Sequence, residues 1–197
     1  MTAAAEVGLR ERKKAATRQA LHEAAVRLAI ELGTERVTVE AIADDAGVSR
    51  RTFSNYFANK EEALLHGDAE RMRVLIDMVR ARPAGEAPWT ALTSATAEFH
   101  AQFGDLDPTW VARGRAIRTQ PMLLAAQAQT FAAFERELEA EVAARLTEPS
   151  PVRARLTAAM FLTAMRVSMH LWLERSPGTR LWDLIEESLA EAGRGLK

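Results

Sequence analysis

Apolar residues recur at every third or fourth position through most of the chain, the spacing of one face of an α-helix. In the first such segment Leu21, Ala25, Leu28 and Leu32 follow this spacing, and Gly33 stands where the helix is expected to end. No segment alternates between apolar and polar residues as a half-buried strand would. The pattern therefore predicts an all-α protein of about nine helices.

Prolines and glycines separate the later helices, because both residue types favour turns and loops. The strongest of these breaks contains Pro83, Gly85 and Pro88. Besides two short helices between residues 38 and 57, the predicted helices are Lys13–Leu32, Lys60–Arg82, Trp89–Phe103, Thr109–Thr119, Pro121–Leu146, Val152–Glu174 and Arg180–Ala192. The expected division is a domain of residues 10–59 followed by a larger one of residues 60–197.

Composition narrows the possible chemistry. The 197 residues include no cysteine and four histidines, which excludes disulfides, thiolate nucleophiles and zinc sites with cysteine ligands. The lack of cysteine fits a protein of the reducing cytoplasm, and no signal peptide is expected. We also expect no membrane-spanning helix, because Thr163, Arg166 and His170 interrupt the longest apolar stretch. The net charge of −1 neither indicates nor excludes a nucleic-acid partner, so the positions of the charges must decide.

The segment from residue 38 to residue 57 fits two short helices folded against each other. Thr38 and Ser49 are suitable N-caps, since each hydroxyl can accept from a free N–H of the first turn. Gly47 falls between them, where a left-handed turn costs glycine little. The apolar positions are Val39, Ile42, Ala43, Ala46, Val48, Phe53, Tyr56 and Phe57. This arrangement predicts a helix-turn-helix, whose second helix enters the DNA major groove.

The second short helix has side chains suited to reading bases. Arg50, Arg51 and Thr52 lie on its leading turn and Asn55 one turn later, and Arg and Asn can form paired hydrogen bonds with guanine and adenine. Asp44 and Asp45 belong to the end of the first helix, which lies away from the groove in this motif. The predicted DNA-binding residues are Lys14, Thr17, Arg18, Thr38, Ser49, Arg50, Arg51, Thr52, Asn55, Tyr56 and Lys60, several of them as phosphate donors.

These motifs together resemble the N-terminal domain of the tetracycline-repressor (TetR) family of bacterial transcriptional regulators. The resemblance covers about residues 15–65 and rests on Thr38-Val39, Ile42-Ala43, Ala46-Gly47-Val48-Ser49, Thr52-Phe53, Tyr56-Phe57 and Asn59-Lys60-Glu61. Many members have an aromatic residue where this chain has Ser54 or Asn55, so the resemblance does not extend to the operator sequence.

The resemblance implies a homodimer that binds a palindromic double-stranded DNA operator, with repression as the usual outcome. It also implies a three-helix DNA-binding domain and a larger helical domain that binds a small effector and dimerises. Effector binding would move the helix Lys60–Arg82 and so change the separation of the two DNA-binding domains. No cofactor is implied.

The predicted helix Val152–Glu174 is apolar on two sides, which indicates that it is buried on both. In a small domain the second buried side suggests a subunit interface, and the family uses its last two helices in this way. The predicted interface residues are Met160, Thr163, Val167, His170, Leu181, Leu184, Ile185 and Leu189.

Aromatic and methionine side chains are concentrated on helices of the larger domain that must face each other. The candidate pocket residues are Phe99, His100, Phe103, Trp110, Arg113, Phe131, Phe134, Met165, Met169 and Trp172. Residues of these types also form ordinary cores, so composition leaves both interpretations open. If a ligand binds here, its expected character is largely apolar with a polar or acidic end, such as a lipid-like acid or thioester.

Two other classes of function are less favoured by the sequence. An enzyme is disfavoured because no catalytic motif and no metal site stands out; His22-Glu23, for instance, has Val26 where a zinc-protease helix needs its second histidine. An all-α interaction module with a helix-turn-helix but no operator is the other alternative. Salt-sensitive DNA binding would distinguish a regulator from both.

Overall fold

The protein consists of α-helices joined by turns and short loops in the residues that its computed structural model describes, which are 3–104, 120–174 and 178–195, with side chains described from residue 10. These ranges contain eight helices and no strand. The helices are α1 (Ala3–Leu32), α2 (Val39–Asp45), α3 (Arg50–Ser54), α4 (Lys60–Ala81), α5 (Pro88–Phe103), α6 (Pro121–Ala143), α7 (Pro151–Glu174) and α8 (Leu181–Arg194).

The all-α prediction is confirmed, and most predicted helix ends agree with the structure to within three residues. The main difference is the start of α1, at Ala3 instead of Lys13. Alanines and charged residues with good helix propensity extend α1 before its apolar spacing becomes regular. The predicted helix Thr109–Thr119 lies outside the described residues.

The chain divides into two compact units. The N-terminal unit contains described residues 3–68 and 120–127, and the C-terminal unit contains 69–104, 128–174 and 178–195. The boundary falls within α4, after Asp68, whereas the sequence-based division assigned all of this helix to the second domain. The N-terminal unit also includes the first turns of α6.

The core of the N-terminal unit is formed by side chains from five helices, from the loop before α2 and from the segment that follows α3. Leu21 of α1, Ile42 of α2 and Phe53 of α3 are each at most 1% exposed. Phe57 and Leu123, the latter from the first turn of α6, are each 2% exposed and belong to the same cluster. This core holds α3 in a defined position beneath its exposed residues.

The C-terminal unit is built around α7, whose inner face packs on α5, α6 and α8. Phe161 is fully buried and its ring meets Trp89 edge to face, with 6.4 Å between ring centres. Ser168 is also fully buried and its hydroxyl donates to the Leu184 carbonyl at 3.0 Å. Buried polar groups of this kind join α7 to α8.

Helix α7 also has the length and composition of a membrane-crossing helix, with 24 residues and a mean hydropathy of 1.2 over its most apolar window. This differs from the expectation that its polar residues make it too polar to span. The core helix of a soluble protein can have the same composition, and α7 carries Phe161 and Ser168 in the core of the C-terminal unit.

Candidate DNA-binding surface

The turn between α2 and α3 has the caps that its sequence predicts. Thr38 Oγ1 accepts from the Ala41 N–H at 3.1 Å, and Ser49 Oγ accepts from the Thr52 N–H at 3.0 Å. Gly47 has a φ of 66°, a left-handed conformation that other residues adopt at a cost. These local features position α3 as the second helix of a helix-turn-helix.

Helix α3 divides its side chains between the core and the surface. Phe53 is 1% exposed, while Arg50, Arg51 and the C-cap residue Asn55 are exposed and Thr52 is half-buried. Arg50 lies 3.0 Å from Glu40 in an exposed ion pair, which contributes little to stability and can be exchanged for a phosphate or base contact. The exposed face therefore presents donors and acceptors suited to the edges of bases.

Two of the predicted phosphate donors at α1 are engaged within the protein. Arg18 donates from Nη2 to the Tyr56 carbonyl at 2.8 Å, and Thr17 Oγ1 donates to the Lys13 carbonyl at 3.0 Å. Lys14 is exposed. The structure thus gives Arg18 a packing role between α1 and the segment after α3.

Lys60, at the start of α4, is likewise used inside the N-terminal unit. Its Nζ donates to the carbonyls of Thr34 and Val37 at 3.0 and 2.9 Å. Asn59 Oδ1 caps α4 by accepting from the Glu62 N–H at 2.8 Å. The Lys60 ammonium therefore stabilises the loop between α1 and α2. The sequence predicted only a phosphate contact for this residue.

The acids near the end of α2 have separate environments. Asp45 accepts from Arg27 of α1 in an ion pair, and this hydrogen bond raises the pKa of the Arg27 guanidinium. Asp44 is exposed. Asp45 is thereby neutralised by α1, so its charge opposes the approach of a DNA phosphate less than an unpaired acid would.

Most of the predicted pocket residues that the structure describes pack on the core of the C-terminal unit. Phe134 is 4% exposed and within this core. The half-buried residues packed against it are Phe99, Phe131, Met165, Met169 and Trp172. Trp110 and Arg113 lie outside the described residues. This packing is compatible with either a core or the wall of a ligand site.

The two other predicted pocket residues make ring contacts at the end of α5. His100 stacks on Trp182 of α8, with 4.3 Å between ring centres and an angle of 3° between planes. Phe103 is 43% exposed and lies 4.7 Å from the Phe99 ring centre. The stacking thus fixes the orientation of the His100 imidazole against α8.

The predicted interface residues of α8 lie inside the protomer. Leu181, Leu184, Ile185 and Leu189 are each at most 9% exposed, and the first, third and fourth of them belong to the core cluster of the C-terminal unit. The single apolar stripe of α8 packs against α7 of the same chain. A place for these four residues in a subunit interface therefore stays a prediction.

The α7 residues behave differently. Val167 is 40% exposed, Thr163 and His170 are exposed, and Met160 is half-buried. Val152 and Leu156 continue the same stripe and are 69% and 55% exposed. Among the residues that the structure describes, nothing covers this second apolar face of α7.

The start of α6 contacts the loop between α1 and α2, which the sequence did not predict. Gln120 Nε2 donates to Glu35 Oε1 at 3.0 Å, just before Leu123 enters the core of the N-terminal unit. A cavity of about 240 Å³ lies beside this contact. Its lining residues are Thr34, Glu35, Lys60, Glu61, Leu64, Gln120, Met122 and Leu123, none of them among the predicted pocket residues. Helical spacing in α6 predicted a buried face but not its partner.

The fold and the exposed polar face of α3 define an all-α regulator with a helix-turn-helix. Comparison with known proteins identifies the family. Residues 21–66 match the family described as bacterial regulatory proteins, tetR family, and residues 86–197 match the family described as MftR C-terminal domain. The chain belongs to the TetR family of ligand-responsive, DNA-binding transcriptional regulators and is not an enzyme.

Individual relatives agree with this assignment. The HTH-type transcriptional regulator TcmR of Streptomyces glaucescens is 32% identical over 177 residues, which cover 86% of this chain and 78% of TcmR. The TetR-family repressor FadR of Thermus thermophilus, solved with lauroyl-CoA, is 25% identical with a TM-score of 0.58, covering 91% of this chain and 95% of FadR. The fatty acid degradation regulator FadR of Bacillus halodurans shares the fold, with 20% identity, a TM-score of 0.59, and coverage of 92% and 96%.

Proposed function

We propose that this protein is a cytoplasmic repressor that binds a palindromic operator as a homodimer and is released by a small, largely apolar effector. The observation that carries the proposal is that α3 and its C-cap bury Phe53 and expose Arg50, Arg51 and Asn55. Side chains of these types can distinguish bases in the major groove. In the proposed response, effector binding moves α4 and changes the separation of the two DNA-binding units.

Selection of bound fragments from genomic DNA tests the operator and its symmetry together. A palindromic site is expected, because a two-fold dimer presents the same α3 face to each half-site. Asn55→Ala should relax base preference at one position in each half-site, while Lys14→Ala should weaken all sequences alike. An absence of salt-sensitive, sequence-selective binding would contradict the proposal.

For the effector we propose an acyl thioester, with lauroyl-CoA as the first compound to test. Support comes from the lauroyl-CoA complex of the Thermus thermophilus repressor and from the apolar residues Phe99, Phe131, Met165 and Met169 in the C-terminal unit. These methionine and aromatic side chains can accommodate an acyl chain. A small number of polar groups would be enough to orient the polar end of the thioester ligand.

Fluorescence anisotropy of operator DNA can test this effector directly. Lauroyl-CoA should release the operator DNA from the protein. Coenzyme A alone and laurate alone, at equal concentrations, are the controls that distinguish recognition of the whole thioester from recognition of either part. Release by laurate alone would reassign the ligand to a fatty acid. Unchanged DNA binding with all three would overturn the proposed effector class while leaving operator binding intact.

For the homodimer we propose the uncovered face of α7 as the contact surface. Leu156→Asp would put a carboxylate in a dry interface, where an unpaired charge is costly, and should shift the protein to monomers in analytical ultracentrifugation. Met122→Asp is a matched control, because Met122 is 70% exposed and lies in the N-terminal unit. A dimer that tolerates Leu156→Asp as well as Met122→Asp would contradict this surface.

A further inference from the structure

The ion pair between Arg50 and Glu40 joins the starts of the two helices of the helix-turn-helix. Arg50 is the first residue of α3, directly after its N-cap Ser49, and Glu40 is the second residue of α2. Arg50 Nη1 lies 3.0 Å from Glu40 Oε1, and both side chains are more than half exposed. Because an exposed pair of this kind contributes little to stability, the folding of the unit does not account for an acid beside Arg50.

The neighbouring Arg51 has a different environment. Its side chain is exposed, and no acid among the described residues lies within ion-pair distance of it. Both arginines belong to the first turn of α3, the part of the second helix that contacts base edges in this motif. The protein therefore orients one cation of this turn and leaves the other free to adopt several conformations.

The contact with Glu40 occupies only one corner of the Arg50 guanidinium. A guanidinium is planar and presents its N–H donors in a fixed fork. With Nη1 beside Glu40, the edge formed by Nε and Nη2 remains available, since no residue in the described ranges accepts a hydrogen bond from it. Such an edge can donate two parallel hydrogen bonds to O6 and N7 of guanine. Arg50 can thus read a guanine while Glu40 holds it.

A carboxylate at this position affects bases and phosphates differently. Holding the guanidinium of Arg50 reduces the conformational freedom that it loses on binding, which favours a contact of fixed geometry such as a guanine edge. A phosphate accepts hydrogen bonds from many directions and gains less from this restriction, while the negative charge of Glu40 repels it. The arrangement therefore favours the correct base over contacts with the backbone of any sequence.

We infer that Glu40 is a positioning residue that orients the Arg50 guanidinium towards a guanine in each half-site of the operator, while Arg51 contacts a phosphate. The inference rests on the proposed operator binding and names the base that one of the two arginines selects. Glu40 acts through Arg50 and contacts no base itself. Its removal should therefore reduce sequence preference at one position and leave the remaining contacts in place.

Binding to a set of DNA duplexes tests this assignment. The probes are the operator fragment selected from genomic DNA, its variants with each base pair of a half-site replaced in turn, and an unrelated duplex of equal length. Arg50→Met should lower the preference for G·C at one position of each half-site about tenfold or more. Glu40→Gln should lower the preference at that same position several-fold and raise the affinity for the unrelated duplex, because a negative charge is removed. In the double variant Arg50→Met/Glu40→Gln, the second change should cause no further loss of preference.

Asp44→Asn is the matched control for the change of charge. Asp44 is an exposed acid one turn after Glu40 on the same helix, and it makes no ion pair within the part of the chain that the structure describes. Its replacement should change the affinity for all duplexes by the same factor and leave every base preference as in wild type. Urea unfolding of each variant measures any effect on folding, since a carboxylate in the first turn of α2 also interacts favourably with the helix dipole.

The possible outcomes separate this inference from operator binding itself. If Glu40→Gln changes the affinity for the selected operator and for the unrelated duplex by the same factor, Glu40 acts only as a charge, and the inference is wrong while operator binding stands. If Glu40→Gln lowers stability but leaves base preference unchanged, its role is structural and the inference is also wrong. If Arg51→Met removes the G·C preference and Arg50→Met does not, the assignment of the two arginines is overturned. If wild type prefers no sequence, the proposed operator binding fails and the inference fails with it.

Discussion

The guanidinium of Arg18 donates a 2.8 Å hydrogen bond to the backbone carbonyl of Tyr56, 38 residues later in the chain. The same group lies 5.3 Å from the centre of the Phe57 ring, within the range of a cation–π contact. Arg18 thus connects α1 to the segment that follows α3. A residue whose type and place suggest a DNA phosphate contact also stabilises the DNA-binding unit.

Arg18→Met should therefore destabilise the protein in the absence of DNA. The hydrogen bond that this change removes has a charged donor, so we expect a decrease of roughly 1 to 3 kcal/mol in the free energy of unfolding, measured with urea. Lys14→Met, at an exposed position of the same helix, should change it by no more than about 0.5 kcal/mol. Equal stability of the two variants would show that the Arg18 contact contributes little.

Lys60→Met separates an internal role from a phosphate contact. Because Lys60 Nζ donates to the Thr34 and Val37 carbonyls, its removal should lower stability while leaving the salt dependence of operator binding unchanged. Arg51→Met should instead reduce the slope of log affinity against log salt by about 1 for each phosphate that Arg51 neutralises. A reduced slope with unchanged stability in Lys60→Met would restore the phosphate contact predicted from sequence.

Leu123→Ala probes the contribution of α6 to the N-terminal unit. Leu123 is 2% exposed, so its truncation should cost about 2 to 5 kcal/mol, whereas Met122→Ala at a 70% exposed neighbour should cost less than about 0.5 kcal/mol. Loss of operator affinity should accompany the first change only. If both variants keep wild-type stability, Leu123 is not part of the core in solution.

Gly67→Ala tests the close approach of α1 and α4. A Cβ atom at Gly67 would lie 2.6 Å from Nε2 of His22, whose Nδ1 donates to the Ala63 carbonyl at 2.8 Å. The imidazole would have to move, and such overpacking typically costs about 1 to 3 kcal/mol. Gly85→Ala is the matched control, because nothing lies within 4 Å of its Cβ position. A thermal denaturation midpoint equally unaffected in both would contradict the packing.

The pair formed by Arg82 and Glu86 predicts a pH-dependent contribution to stability. Two hydrogen bonds of 2.7 Å join the groups, and they lower the pKa of the Glu86 carboxyl below 4.5. Since the folded-state pKa is the lower one, the contribution is fully present above about pH 4.5 and is lost as the pH falls through the folded-state value. Glu86→Gln should therefore be less stable than wild type at pH 7, and the difference should shrink below pH 4.5. Glu148→Gln, at an exposed position, should show no such convergence in thermal melts.

Local sequence features predicted much of the DNA-binding unit correctly. Thr38, Ser49 and Asn59 cap their helices, and Gly47 adopts the left-handed turn, because these interactions involve residues at most three or four positions apart. The inward position of Phe53 and the outward position of Arg50 follow from helical spacing alone. The family assignment rests on the same local pattern.

The sequence by itself therefore determined the helices, their caps, the faces of α3 and the family. Tertiary structure alone decided which distant groups each face meets. It assigned Lys60 to carbonyls 23 and 26 residues away, buried Leu123 in the N-terminal unit, and packed the stripe containing Ile185 and Leu189 on α7 of the same chain. The periodicity of a segment predicts which face of its helix is apolar. It does not predict what that face packs against, because the packing partner depends on the free energy of the whole folded chain.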